Sequence, residues 1–435
     1  MNAPEFIPLD PGLERDLLAA VDDLQPDLVT LLAALVRFPS LMGEEASAQD
    51  FMEGLFRGLG LEVDRFEVRD EDLKDMQGYA PPTGQWARHD NVVGAHHPRT
   101  VIGRSLILNG HIDVVPIGEE SMWSSPPFEP DVRNGRLFGR GAGDMKAGIA
   151  AYVIAFEALK RIGVQPAAPV WLQSVVEEEC TGNGALACLK RGYRADAALI
   201  PEPFDHSILH AQVGVIWLAV DVFGRPAHVL DVASGINAIE AAFALYGGLT
   251  TLRDEWNRPE SRHAAYADHE HWINFNLGRI QGGEWASSVP TRCTIEIRCG
   301  IPIGMAAAAA RAAIEARIAR TVDTDRSLAG VQYRVRYAGF QSEGFAIAKD
   351  LPMMRLLAQT HERVLGTPPE WLASTATTDA RVFNLYGETP ATCYGPEAAR
   401  IHGIDESVSL ESTHQVSRVL ALYIAHWCGV EARGR

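Results

Sequence analysis

A chain of 435 residues with 47% hydrophobic content is too long for one ordinary core and apolar enough to fill two. Its formal net charge of −17, with acids spread throughout and no Lys/Arg block, argues against nucleic acid or an anionic membrane surface as partner. The six cysteines stand apart with no Cys-x-x-Cys pair, which argues against a zinc ribbon or a secreted disulfide framework and points to free thiols.

The opening residues show no basic-then-apolar leader, and no apolar run reaches the roughly eighteen residues of a membrane span, so the expectation is a soluble cytoplasmic protein. Apolar positions at helical spacing from 13 to 37 (Leu17, Val21, Leu24, Leu28, Leu32, Leu35) predict a helix, and Ala46 to Leu59 predict a second amphipathic one. From Asp70 to Arg99 the pattern dissolves into charges, Pro81-Pro82 and Gly, predicting an irregular excursion. His96-His97 has no acid at ligand spacing and reads as solvated surface rather than a metal site.

From Val101 to Asp205 strands and helices alternate, as in a doubly wound α/β sheet. The run Ser105 to Pro116 is a buried-strand pattern ending in Gly110, His111 and Asp113, the last two spaced to share a face. A parallel sheet presents functional groups at the carboxyl ends of its strands, although a structural His–carboxylate pair would look the same. Next, Gly139-Arg140-Gly141-Ala142-Gly143-Asp144-Met145-Lys146 crowds glycines around one carboxylate just before an Ala-rich run, which places Asp144 in a tight turn at a helix start. A helix N-terminus by itself favours an anion there. Glu177-Glu178-Glu179 directly follow an apolar strand from Pro169 to Val176, and such crowded like charges call for a cation or for water. Glu202 stands between Pro201 and Pro203 after a further apolar run, and His402 follows Gly395-Pro396.

Around Val213 the texture changes to strand alternation through Phe223, the turn Gly224-Arg225-Pro226-Ala227-His228 and a helix from Gly235 to Leu252. Strands at Ile273 to Ile280 and Thr291 to Arg298, an Ala-rich helix from Ala306 to Arg320 and a strand from Gln332 to Tyr337 follow. Two strands and a helix, twice over, predict a separate α+β sandwich. The chain re-enters the first unit near Gln341, with a helix from Pro352 to Leu365 and a closing helix from Thr413 to Trp427. The expected division is therefore 1–212 with 341–435, and an insert at 213–340.

Together the His-x-Asp strand end, Trp123 to Phe128 with the Gly-Arg-Gly-x-x-Asp-Met-Lys turn, the Glu pair before Gly184, Glu202-Pro203 and the late Gly-Pro…His resemble the M20-type metallopeptidase and amidohydrolase family. That family contains acetylornithine deacetylase, succinyl-diaminopimelate desuccinylase, aminoacylase and glutamate carboxypeptidase. The resemblance implies a catalytic domain with a lid that also forms a homodimer. It implies two Zn²⁺ per chain, with Co²⁺ or Mn²⁺ as alternatives because nitrogen and oxygen ligands discriminate weakly among them. Asp144 would bridge the ions, with His111 and Glu202 on one and Glu179 and His402 on the other. Asp113 would orient the His111 ring, and Glu178 would move the proton from water to the leaving amine, with Glu177 as the alternative base.

The same resemblance gives His228 to the oxyanion of a partner subunit's site, Arg298 to a substrate carboxylate, and the turns at Thr377 to Arg381 and Gly395-Pro396 to the pocket rim. His228 would otherwise be a surface-turn histidine, and Arg298 a lid ion-pair former. Ser287 stands where relatives usually carry Asn, and Ala147 where Gly is common. The implied activity is hydrolysis of the amide of a small N-acyl amino acid. The alternatives are a dipeptidase or carboxypeptidase on the same site and a catalytically silent ligand-binding relative.

Overall fold

The computed structural model describes residues 6–84 and 89–433. Part of the irregular excursion, at 85–88, and the first five residues read for a leader lie outside the described residues. No helix among the described residues is long and apolar enough to cross a membrane.

A six-stranded sheet runs in the order Glu62–Glu67, Asp90–His96, Val170–Val175, Leu106–His111, Ala197–Ile200 and Ala391–Cys393. The last four are mutually parallel and the Asp90–His96 strand is antiparallel to its neighbours, which makes the sheet mostly parallel. The predicted alternation of strands and helices is thus present as an α/β layer structure. Residues of these strands are buried in one core with the helices Gln25–Val36, Ala147–Arg161, Pro352–Leu365 and Leu410–Cys428. Because the four parallel strands share a direction, the residues that follow His111, Val175, Ile200 and Cys393 emerge along one edge.

A second sheet is antiparallel throughout, in the order Phe275–Gly282, Arg292–Ile301, Gly214–Phe223 and Gln332–Ser342. Its alternate residues Ile216, Leu218, Val220 and Val222 are buried against the helices Ala238–Trp256 and Ala307–Thr324, which forms a separate core. A small sheet joins Ala398–Ala399, Ser407–Ser409, Arg136–Phe138 and Asp131–Arg133, so the chain around His402 is stitched beside the strand that leads into Asp144.

Three elements differ from expectation. The helix predicted over 13–37 is two helices, Pro11–Asp23 and Gln25–Val36, because Pro26 lacks an N–H and fits only a helix's first turn. The excursion after Asp70 contains the strand Asp90–His96, which shows no apolar period because its buried Asn91 serves hydrogen bonds. The Asn91 side chain receives the Val176 N–H at 3.1 Å and donates to the Gly184 carbonyl at 2.7 Å. His96 ends that strand, partly buried, with Nε2 2.8 Å from the Pro166 carbonyl, so only His97 is the solvated histidine expected there. All six cysteines are buried and free.

Candidate metal and catalytic site

Four parallel strand ends and one turn converge on Asp144. His111 closes its strand, Glu177 to Glu179 follow the strand Val170–Val175, and Glu202 follows Ala197–Ile200. Gly395 follows the fourth strand and backs against the third, since a Cβ there would lie 2.2 Å from the Glu202 carbonyl oxygen. Only glycine permits that approach, so its observed role is to let the Glu202 segment settle.

Asp144 lies between two imidazoles. One carboxylate oxygen is 3.1 Å from His111 Nε2 and the other is 3.2 Å from His402 Nε2. Glu202 lies 3.9 Å from the same His111 nitrogen, and both Glu179 oxygens lie 3.1 Å from His402 Nε2. Two sets result, His111–Asp144–Glu202 and Asp144–Glu179–His402, each with its ligand atoms within 4.8 Å of one another. The peptide bond between Asp144 and Met145 is cis.

The charges are crowded and dry. Burial pushes the carboxyl groups of Glu178 and Glu202 well above the usual range. Burial would raise Asp144 as well, but its bonds to His111 and His402 hold it well below the ordinary value. Against burial, Glu179 and Asp144 lift His402 to about 11, and Asp144 with Glu202 raises His111. Imidazoles whose proton affinity is raised by Asp144, Glu179 and Glu202 mark a place where positive charge is favoured. Two-nitrogen, three-carboxylate donor sets of this kind suit Zn²⁺ and its divalent neighbours.

The other predicted residues fall as follows. Asp113 is wholly buried, and burial moves its carboxyl up to about 8. The ring nitrogen Nδ1 of His111 sits 2.9 Å from the Asp113 backbone carbonyl and 3.7 Å from its carboxylate. That carboxylate accepts the backbone N–H groups of Glu178 at 3.4 Å and Glu179 at 3.1 Å. The expected orienting contact is therefore made chiefly by the carbonyl, which the turning strand end places nearer to the ring, while the side chain holds the acid loop. Glu178 has one buried oxygen with no hydrogen-bond partner among the described residues, 3.9 Å from Arg381 Nη1. Glu177 points elsewhere, with an oxygen 2.7 Å from His89 Nε2.

His228 is exposed in the inserted sandwich, where its Nδ1 accepts the Leu230 N–H at 3.1 Å and its backbone pairs with Ser288. It is not among the residues gathered around Asp144. Arg298, partly buried, donates to the Thr375 carbonyl at 2.9 Å. Among the described residues no carboxylate lies within ion-pair distance of its guanidinium. Burial lowers its pKa.

Sequence reasoning gives no role to Glu406 or His89, and places Arg381 and Asp379 in a rim turn without assigning their side chains. Glu406 accepts the N–H groups of Gly141, Gly143 and Asp144 at 3.1, 2.9 and 3.1 Å and pairs with Arg140. Arg381 spans from the Thr378 carbonyl at 2.7 Å to the Thr181 carbonyl at 3.1 Å, fastening one predicted rim turn to the acid loop. Asp379 in that turn is fully buried, with both carboxylate oxygens unpartnered among the described residues, and burial moves it up to about 6. His89 lies in a stretch with no periodic pattern, so only its imidazole type was visible.

The model of peptidase family M20/M25/M40 matches residues 107–426, and the chain belongs to that family. It is 27% identical to the N-formyl-4-amino-5-aminomethyl-2-methylpyrimidine deformylase of Bacillus subtilis (strain 168), over 94% of this chain and 96% of that one. The enzyme of the same name from Halalkalibacterium halodurans is likewise 27% identical, over 95% of this chain and 97% of its own. In fold the chain resembles the di-peptidase Dug1p from Saccharomyces cerevisiae, with a TM-score of 0.79, 13% identity and coverage of 94% and 98%. It also resembles human carnosine dipeptidase 1, with a TM-score of 0.75, 15% identity and coverage of 94% and 98%. The chain is thus a metallohydrolase by family.

Proposed function

We propose that this M20 metallohydrolase cleaves the amide of a small N-acyl amino acid, using two divalent cations held by His111, Asp144 and Glu202 and by Asp144, Glu179 and His402. The observation that carries the reading is the pair of donor sets sharing Asp144, with the unpartnered oxygen of Glu178 beside them. Zinc is the favoured metal, with cobalt or manganese able to replace it. When bound, such ions polarise a carbonyl and lower the pKa of water toward neutrality.

The chain's own groups supply the rest. Glu178, buried and not part of either donor set, takes the proton from the attacking water and delivers it to the leaving amine. Its raised affinity for a proton suits the delivery step. Asp113 holds the backbone of Glu178 and Glu179 while its carbonyl fixes the His111 ring. Arg298, with no carboxylate partner among the described residues, takes the substrate carboxylate, and the turn at Gly395 borders the acyl end.

Residues 1–212 and 341–435 form the catalytic domain in this reading, and 213–340 form a lid that pairs with a second copy. Exposed apolar side chains flanking His228 support that pairing: Val229, Leu230 and Val232 next to it, and Trp285 close to its Ser288 partner. His228 then donates to the oxyanion in the partner's site. The six buried thiols are consistent with a reducing cytoplasmic setting.

A second reading, removal of a formyl group from a neutral amine, is favoured by the two deformylase relatives. Hydrolysis of N-acetyl, N-succinyl and N-formyl amino acids, N-formyl aminomethylpyrimidine and dipeptides separates them. Turnover that needs a substrate carboxylate and is lost in Arg298→Gln supports the first reading. Turnover of the formylated pyrimidine alone overturns it in favour of the second.

A further inference from the structure

Three acids stand in a row after the strand Val170–Val175, yet they face different ways. Glu178 and Glu179 face the Asp144 cleft, while Glu177 turns into a buried recess. Its backbone has φ of +62°, in the left-handed region that residues with a Cβ seldom enter. That conformation is held from several directions. The Glu177 carbonyl receives the N–H groups of Cys180, Thr181 and Gly182 at 3.4, 3.0 and 2.8 Å. Its carboxylate, in a residue only 3% exposed, lies 2.7 Å from His89 Nε2 and accepts the Thr181 hydroxyl. On the other side of the loop, the Asp113 carboxylate receives the N–H groups of Glu178 and Glu179.

We infer that His89 is a positioning residue. By anchoring the Glu177 carboxylate away from the cleft, it fixes the backbone from which Glu178 and Glu179 are presented. The physical argument is one of competition. A free Glu177 carboxylate is one residue from Glu178, on a backbone held in a conformation that residues with a Cβ seldom adopt. Without its partner it gains by relaxing that φ and swinging toward any bound cation. The loop would then lose the separation between an acid that binds metal and an acid that moves protons. His89 prevents this through a short contact between two buried groups, and Thr181 through a second bond to the same carboxylate.

The inference rests on the two-metal reading, and it is tested on the full-length protein loaded with Co²⁺. His89→Ala is expected to shift the visible Co²⁺ absorption, because Glu179 is displaced. It is also expected to lower kcat by about 10- to 100-fold, the usual effect of losing a partner behind a metal ligand, with KM nearly unchanged. His89→Gln, which keeps an N–H donor, should restore most of both signals. A purely structural histidine would lower thermal stability and leave spectrum and kcat as in the wild type, and that result overturns the inference. If His89→Ala does not fold, Thr181→Val, which leaves His89 in place and removes the hydroxyl that both bonds the Glu177 carboxylate and accepts the Asn183 N–H, should give a smaller change in the same two signals, with no change overturning the inference. A wild-type protein that binds no Co²⁺ instead overturns the metal reading on which the inference stands.

Discussion

Arg140 and Glu406, 266 residues apart, meet in an ion pair of 2.6 Å with each side chain only 1% exposed. The same carboxylate gathers three backbone N–H groups of the turn that carries Asp144, so the pair ties that turn to the loop of His402. Arg140→Met leaves a buried negative charge without its counter-ion, and breaking such a pair typically costs about 3 to 5 kcal/mol. The expected outcome is a markedly lower Tm and weaker metal binding, read by thermal unfolding and by titration with Zn²⁺. An unchanged Tm would show that the charge is not buried as described.

That pair also marks where sequence reading stops. The runs before His111, Glu177 and Glu202 are legible as strands because burial on both faces leaves them mostly apolar, interrupted only by the buried Asn109, Gln173 and Ser174, and the parallel arrangement then assigns their following residues to one edge. Asp144 was legible through the glycines around it. By contrast, the strand Asp90–His96 hides behind Asn91, whose polarity serves buried partners rather than solvent. Pro26 divides a long apolar period whose spacing alone reads as one helix. Glu406, Arg381 and His89 act through contacts whose other half lies far along the chain, and no local pattern encodes those. The nearer approach of the Asp113 carbonyl than of its carboxylate to His111 depends on how one strand end turns, which spacing does not specify.

Metal removal is the broadest test of the proposed chemistry. Chelation should abolish amide hydrolysis, and added Zn²⁺ or Co²⁺ should restore it. Asp144→Ala should be the most damaging single ligand change, since it withdraws a carboxylate from both donor sets and leaves Glu179 and Glu202 less well balanced. Elemental analysis should find metal content sharply reduced in this variant. Two tightly bound metals in it would refute the bridging role, and active wild-type protein free of transition metal would refute the whole reading.

Glu178→Gln should separate binding from proton transfer. Glu178 is in neither donor set, so metal content should stay that of the wild type. Loss of a general base typically costs about 10² to 10⁴ in rate. Glu177, clamped by His89 and directed away, should respond differently: Glu177→Gln keeps the shape and an acceptor for the Thr181 hydroxyl, and should retain much more activity. Full activity in Glu178→Gln with an inactive Glu177→Gln would move the base by one residue.

His228 stands apart from the Asp144 cluster and beside exposed apolar side chains of the lid, which motivates a test of sharing between subunits. If each site uses the partner's His228, His228→Ala should lower kcat with metal content intact, because a donor to the oxyanion matters mainly as that charge forms. Mixing His228→Ala with Asp144→Ala subunits gives the sharper measurement. In a mixed dimer, the site with intact metal ligands receives an intact histidine from the other chain, so two crippled proteins should together regain activity. The other site has neither, so the mixed dimer can reach at most half the wild-type activity. Mixed dimers that form yet stay inactive would confine His228 to its own chain or remove it from the reaction. An active monomer, identified by sedimentation at assay concentration, would equally exclude sharing.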